Sequence, residues 1–157
     1  MQDVVHLPHN LKASVLIEEK IKENGGTVIV HTLTGKPCKI FGKKGGKFTS
    51  DKLAMDYLYR YEVFDVISQL LLSNHGKALK GNGRNYKLGE AECNENTVVG
   101  AIGKYYFKRS NGDSVYDPVF LLAAIMEWAG IIKNERGKIS FSPTYRAKLF
   151  EHGIVIS

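Results

Sequence analysis

A chain of 157 residues, 43% hydrophobic and 24% charged, is long enough to bury one sizeable core and too evenly composed for a disordered protein. No apolar run approaches the roughly 20 residues of a bilayer crossing, and the opening MQDVVHLPHN lacks the basic start and long apolar stretch of a signal peptide, so a cytoplasmic protein without a membrane partner is expected. The net charge of +6 favours an acidic partner, nucleic acid first.

In chain order, Asn10 is the expected cap of a first helix that carries Leu11, Val15, Ile17 and Ile21 and stops at the NGG of residues 24–26. TVIVHTLTGKPCKIF then alternates as two strands around the turn TGK, and GKKGGKF turns the chain again into a third. Ser50 or Asp51 caps a predicted helix over 52–60. Another is predicted over 62–73, where Val63, Ile67, Leu70 and Leu71 share a face. Gly76 ends it and opens a glycine-containing basic loop, GKALKGNGRNYKLGE. Asn94 or Asn96 caps a further helix bearing Val98, Ile102 and Tyr105, in which Gly100 and Gly103 either admit another backbone or a phosphate or simply mark a short, irregular helix.

The strongest helical pattern is DPVFLLAAIMEWA, with Asp117 as N-cap, Pro118 in the first turn and Gly130 as the stop; its near-uniform apolarity places it in the core. Ile131 and Ile132 begin a strand, NERG turns it, and Ile139 and Phe141 alternate on the return. Ser142 caps a last helix with Pro143 in its first turn and Tyr145, Leu149 and Phe150 along it. The tail GIVIS reads as an edge strand. The expected fold class is α+β. A helix and small β-meander (1–50) pack on a mostly helical half (51–157) with a β-hairpin, the two forming one compact unit.

Trp128, Gly130, Ile131, Ile132, Gly137, Ile139, Phe141 and Ser142 occupy, in AAIMEWAGIIKNERGKISFSPTYRAKL, the places found at the end of a winged-helix domain, which this half of the chain resembles. The resemblance implies a hairpin wing, a short strand where the basic loop begins, and DNA binding or, in many such modules, protein interaction. The chain departs from the pattern in one respect. The helix before the wing offers no Arg, Lys, Asn or Gln to read base edges, so any contact is with phosphates.

The candidate contacts come from the charge clusters. Between residues 24 and 50 there are five lysines and no acid, among them Lys43, Lys44 and Lys47. The basic loop supplies Lys77, Lys80, Arg84 and Lys87, with Tyr86 placed to stack on a base or sugar. Lys104, Lys108 and Arg109 form a third cluster and Arg136 sits in the wing turn. Glycines beside the lysines let backbone N–H groups converge on an anion.

The chemistry of a catalytic site is thin. Five histidines are scattered without helical metal spacing, and neither a P-loop nor a nucleophile elbow occurs. Cys38 and Cys93 stand in separate segments and read as free thiols in a reducing compartment. No cofactor or metal is called for. A Mg²⁺ nuclease would draw on Asp113 and Asp117, with Glu90, Glu92 and Glu95 next, yet Asp117 is accounted for as a cap and Asp113 as a turn residue. Non-catalytic nucleic-acid binding, DNA before RNA, in a regulator or accessory factor, is therefore the leading expectation. A protein-interaction module of a larger assembly comes second and a small metal-dependent nuclease third.

Overall fold

The computed structural model describes residues 4–157; Met1, Gln2 and Asp3, part of the opening segment read above for a leader, lie outside the described residues. After a 3-10 turn at His9–Leu11, α1 runs over Ala13–Glu23 and buries Ala13, Ile17 and Ile21. Asn10 falls inside the 3-10 turn, so the residue preceding α1 is Lys12, which makes no side-chain cap. Leu11 is buried ahead of the helix and its carbonyl accepts the Tyr145 hydroxyl, which holds this entry segment against the far end of the chain.

An antiparallel meander follows, with strands in the order β1-β2-β3-β4: β1 Thr27–His31, β2 Pro37–Lys43, β3 Lys47–Ser50 and β4 Tyr59–Arg60. Val28 pairs with Ile40 and Val30 with Cys38 on the buried face, and Phe48 pairs with Tyr59. The helix expected over 52–60 does not form. Residues 51–58 make turns, with Asp56 at a φ of 60° and Met55 91% exposed, and then enter β4. A helix there would have one apolar face to bury, but the partners of Tyr57 and Tyr59 lie elsewhere. Tyr59 is fully buried against Phe48, Tyr106 and Phe107, and Tyr57 meets Tyr116 edge-on at 4.9 Å. These aromatic pairs override local propensity.

The second half begins with α2 (Glu62–Leu72), whose buried side chains include Val63, Phe64, Ile67, Leu70 and Leu71. Ser73 ends it, and Gly76 donates back to the Leu71 carbonyl as the chain turns. The start of the basic loop is a strand, β5 (Lys77–Leu79). Helix α3 (Val98–Ala101) continues directly as a π-turn over Ile102–Tyr106. Thr97, rather than Asn94 or Asn96, caps it by accepting from the Gly100 N–H. A Cβ at Gly100 would lie 1.7 Å from the Asn94 carbonyl oxygen, so this glycine admits a neighbouring backbone.

Helix α4 (Val119–Trp128) follows with seven of its ten residues buried, as its apolarity requires. Pro118 takes the cap position and the first helical residue is Val119, one place later than expected; Asp117 still accepts from the Val119 N–H. Gly130, at a φ of 80°, ends the helix as expected. Strands β6 (Ile132–Glu135) and β7 (Lys138–Phe141) form the hairpin, and β5 joins β7 to give a second antiparallel sheet ordered β5-β7-β6. Ile131 precedes β6 and stays outside it.

Ser142 caps α5 (Pro143–Glu151), and its hydroxyl also donates to the Gly130 carbonyl. The GIVIS tail adds no strand; Ser157 instead donates to the Leu72 carbonyl and accepts from the His75 N–H. One continuous buried cluster runs from Leu11 to Leu149 and takes in both sheets and all five α-helices. At a seam between α1 and α4, the Lys20 ammonium lies 4.4 Å above the Trp128 ring and donates to the Trp128 carbonyl. Cys38 and Cys93 are free and buried, and burial raises both thiol pKa values. No described helix is long and apolar enough to cross a membrane.

Candidate nucleic-acid interface

The basic loop is pinned along its length. Lys80 donates to the Gly137 carbonyl and accepts from the Val99 N–H, and Asn82 donates to the Glu92 carbonyl. The Asn82 side chain accepts from the N–H groups of Arg84 and Asn85, a local turn that needs no partner from outside. Leu88 donates to the Asp113 carbonyl and accepts from the Gly112 N–H, which ties it to the 110–114 turn. The glycines serve close approach. A Cβ on Gly83 would lie 2.8 Å from Val99 Cγ2 and 3.1 Å from the Val115 carbonyl oxygen. The Gly83 N–H, free to meet an anion in the sequence reading, already donates to Asp117 Oδ2 at 2.8 Å.

The four cations of the loop do not all share one site. Lys77 lies on the exposed face of the second sheet, opposite Ser140. Lys80 is half-buried, and burial lowers its pKa while the Glu127 carboxylate opposes that shift. Arg84 is exposed, with its guanidinium 5.8 Å from the Phe120 ring centroid. Lys87 reaches back to the Ser114 hydroxyl at 2.6 Å. Tyr86 is half-buried against the core.

The other predicted contacts divide further. Lys104 is bound to Glu95, which also accepts from the Tyr105 hydroxyl; hydrogen bonds from both hold the Glu95 carboxyl below its usual range. Lys108 and Arg109 are exposed just beyond the π-turn, and Arg136 is exposed in the β6–β7 turn. Lys43, Lys44 and Lys47 lie on the β2–β3 hairpin, on the other sheet.

What the fold does bring together is a pair of adjoining clefts where α4 begins. One, of about 470 Å³, is lined by Lys52, Arg84, Tyr116, Asp117 and Phe120. The other, of about 420 Å³, shares Arg84, Asp117 and Phe120 and adds Lys80 and Asn82. Asp117 is the acid common to both. One of its oxygens accepts from Gly83 and the other from Val119, so the carboxylate is spent on holding the loop to the helix. Tyr116 and Phe120 are each 38% exposed, and the Tyr116 hydroxyl accepts from the Ala54 N–H. On β4, outside both clefts, the Arg60 guanidinium lies 4.6 Å over the ring of Tyr106, whose hydroxyl accepts the Arg60 N–H.

The sequence alone does not mark Lys52, Arg60, Tyr116 or Phe120 as site residues. Their only local signal is the Tyr-Asp-Pro triplet before an apolar helix; the rest comes from tertiary packing. The Tyr59 hydroxyl, buried among Tyr57, Tyr106 and Tyr116, has no hydrogen-bond partner among the described residues, and burial, reinforced by the neighbouring phenols, keeps it protonated.

Four of the five acids suggested for a metal are likewise engaged, Asp117 and Glu95 as described. Asp113 accepts from the Ser110 N–H and Glu90 from the Lys87 N–H. Among the described residues no three His, Cys, Asp or Glu side chains gather as a metal-holding group. In comparisons with protein-family models, curated proteins and solved structures, nothing matches this chain.

Proposed function

We propose that this protein binds nucleic acid, duplex DNA first, through its phosphates and without catalysis, and that residues 62–150 are laid out as a winged helix. The winged-helix reading is supported by the succession of α2, β5, α3, α4 and the β6–β7 hairpin, with a short strand between the first two helices as the resemblance requires. The phosphate reading rests on one observation. Lys52, from the turns after β3, and Lys80 and Arg84, from the basic loop, converge with exposed Tyr116 and Phe120 on clefts whose shared carboxylate is already engaged.

Helix α4 exposes only Phe120 and Glu127 clearly to solvent, and one Glu127 oxygen already accepts from the Asn134 N–H, so the helix offers no Arg, Lys, Asn or Gln to a base edge. Binding is accordingly weak in sequence preference and strong in salt dependence. The test is fluorescence anisotropy with a labelled duplex across a salt series, comparing the native chain with Lys52→Gln/Lys80→Gln/Arg84→Gln. Every phosphate left without its cation lowers the slope of log affinity against log salt by roughly 0.9, so the slope of the triple variant is expected to fall by about 2 to 3. An unchanged slope, or no duplex binding by the native chain at low salt, refutes the reading.

A further inference from the structure

The solvent-facing side of the four-stranded meander is a second and different cationic surface. The strand pairing places Lys43 opposite Lys47 and Lys47 opposite Arg60, so three cations stand side by side on three neighbouring strands. All three are exposed. At the usual inter-strand spacing the row spans about 10 Å. Like charges placed directly opposite destabilise a sheet, and this row holds two such pairs. Glu62, 3.9 Å from the Arg60 guanidinium, touches only its end. Phosphates laid along the row would relieve that repulsion.

Beside the row lies a groove of about 880 Å³. Its floor is the next row of the same sheet face, half-buried Phe41 and Thr49. Its far wall comes from the turns after β3 and carries Leu53, Met55 and Leu58, with Met55 91% and Leu58 43% exposed. Asp51 and Asp56 also line it, and Asp51 accepts from the Lys39 N–H and the Ser50 hydroxyl. An aromatic floor and apolar wall next to a row of cations fit a flat, unpaired base attached to a phosphate chain. A duplex keeps its bases stacked inside and has none to place there.

We infer that the outer face of the meander binds single-stranded nucleic acid, with phosphates on Lys43, Lys47 and Arg60 and a base against Phe41 and Met55. This rests on and deepens the nucleic-acid reading by giving the chain a second form of that partner, in a groove that shares no lining residue with the α4 clefts. The test is anisotropy with a labelled oligothymidylate of about 15 nucleotides and, separately, a labelled duplex. Two variants are compared with the native chain, Lys43→Gln/Lys47→Gln and Phe41→Leu, the latter keeping an apolar side chain.

Each variant is expected to weaken single-strand binding about tenfold while leaving duplex binding unchanged. The double lysine variant should melt no lower than the native chain, since it removes repulsion. Native binding to oligothymidylate that survives in both variants overturns the inference, as does an equal loss on both probes. Displacement of oligothymidylate by oligoglutamate as readily as by unlabelled oligothymidylate makes the occupant an acidic peptide and also overturns it. A native chain that binds oligothymidylate but no duplex would refute the α4 proposal and leave this one standing.

Discussion

Replacing Gly100 by alanine tests how closely α3 is packed, and the expected sign is opposite to the usual one. Within a helix, glycine to alanine normally stabilises by about 1 kcal/mol. Here the added carbon would sit 1.7 Å from the Asn94 carbonyl oxygen and 2.3 Å from its carbon, both backbone atoms. To reach even the 3.0 Å that real Cβ contacts keep, the oxygen must retreat by well over an ångström. That oxygen accepts from both the N–H and the hydroxyl of Thr97, the residue that caps α3, so retreat strains two hydrogen bonds as well. Overpacking costs about 1–3 kcal/mol and each weakened hydrogen bond about 1 kcal/mol. Set against the helical gain, the net loss is about 2–4 kcal/mol, or roughly 5–15 °C in melting temperature for a chain of this size. Urea and thermal denaturation followed by circular dichroism measure it. A variant as stable as the native protein, or more so, would refute the packing argument.

Two further outcomes follow from particular side chains. Asp117→Ala leaves the N–H groups of Gly83 and Val119 without their acceptor and is expected to cost about 1–3 kcal/mol; an unchanged melting temperature would show that the loop is not held by this carboxylate. Burial pushes the Tyr61 and Tyr145 hydroxyls up to about 12 from an ordinary value of 10.0. Between those values the folded chain binds more protons than the unfolded one, so stability falls as pH rises through that window. Tyr145→Phe, measured by urea midpoints from about pH 9 to 11.5, should show a shallower decline than the native protein, and an equal slope would contradict the assignment.

The parts of the fold that are legible in the sequence are those whose signals are local. Apolar spacing along α2 and the Ser142–Pro143 start of α5 are carried by a few neighbouring residues, and so are the uniform apolarity of α4 and the alternation of β1 and β2. The segment over 51–60 is not legible, because Tyr57 and Tyr59 are placed by Phe48, Tyr106 and Tyr116 across the fold. The candidate site divides in the same way. The cations of the basic loop stand out in the sequence, yet their directions do not. Lys77 and Lys80 lie three residues apart and serve different faces, while Lys52 and Phe120 join Arg84 only through tertiary packing. The convergent N–H groups suggested by the glycines are replaced at Gly83 by an internal carboxylate, a substitution that composition cannot reveal.

The seam where Lys20 covers Trp128 has a spectroscopic consequence. The chain has one tryptophan and eight tyrosines, so excitation at the red edge of protein absorbance addresses this seam alone. The indole is half-buried between the first helix and α4. If the N-terminal part separates from the rest before the helices melt, emission shifts to the red while the circular dichroism of the helices persists. If the continuous core unfolds as one unit, the two signals coincide at every denaturant concentration. The protein thus carries a native reporter of its own cooperativity, read without any added label.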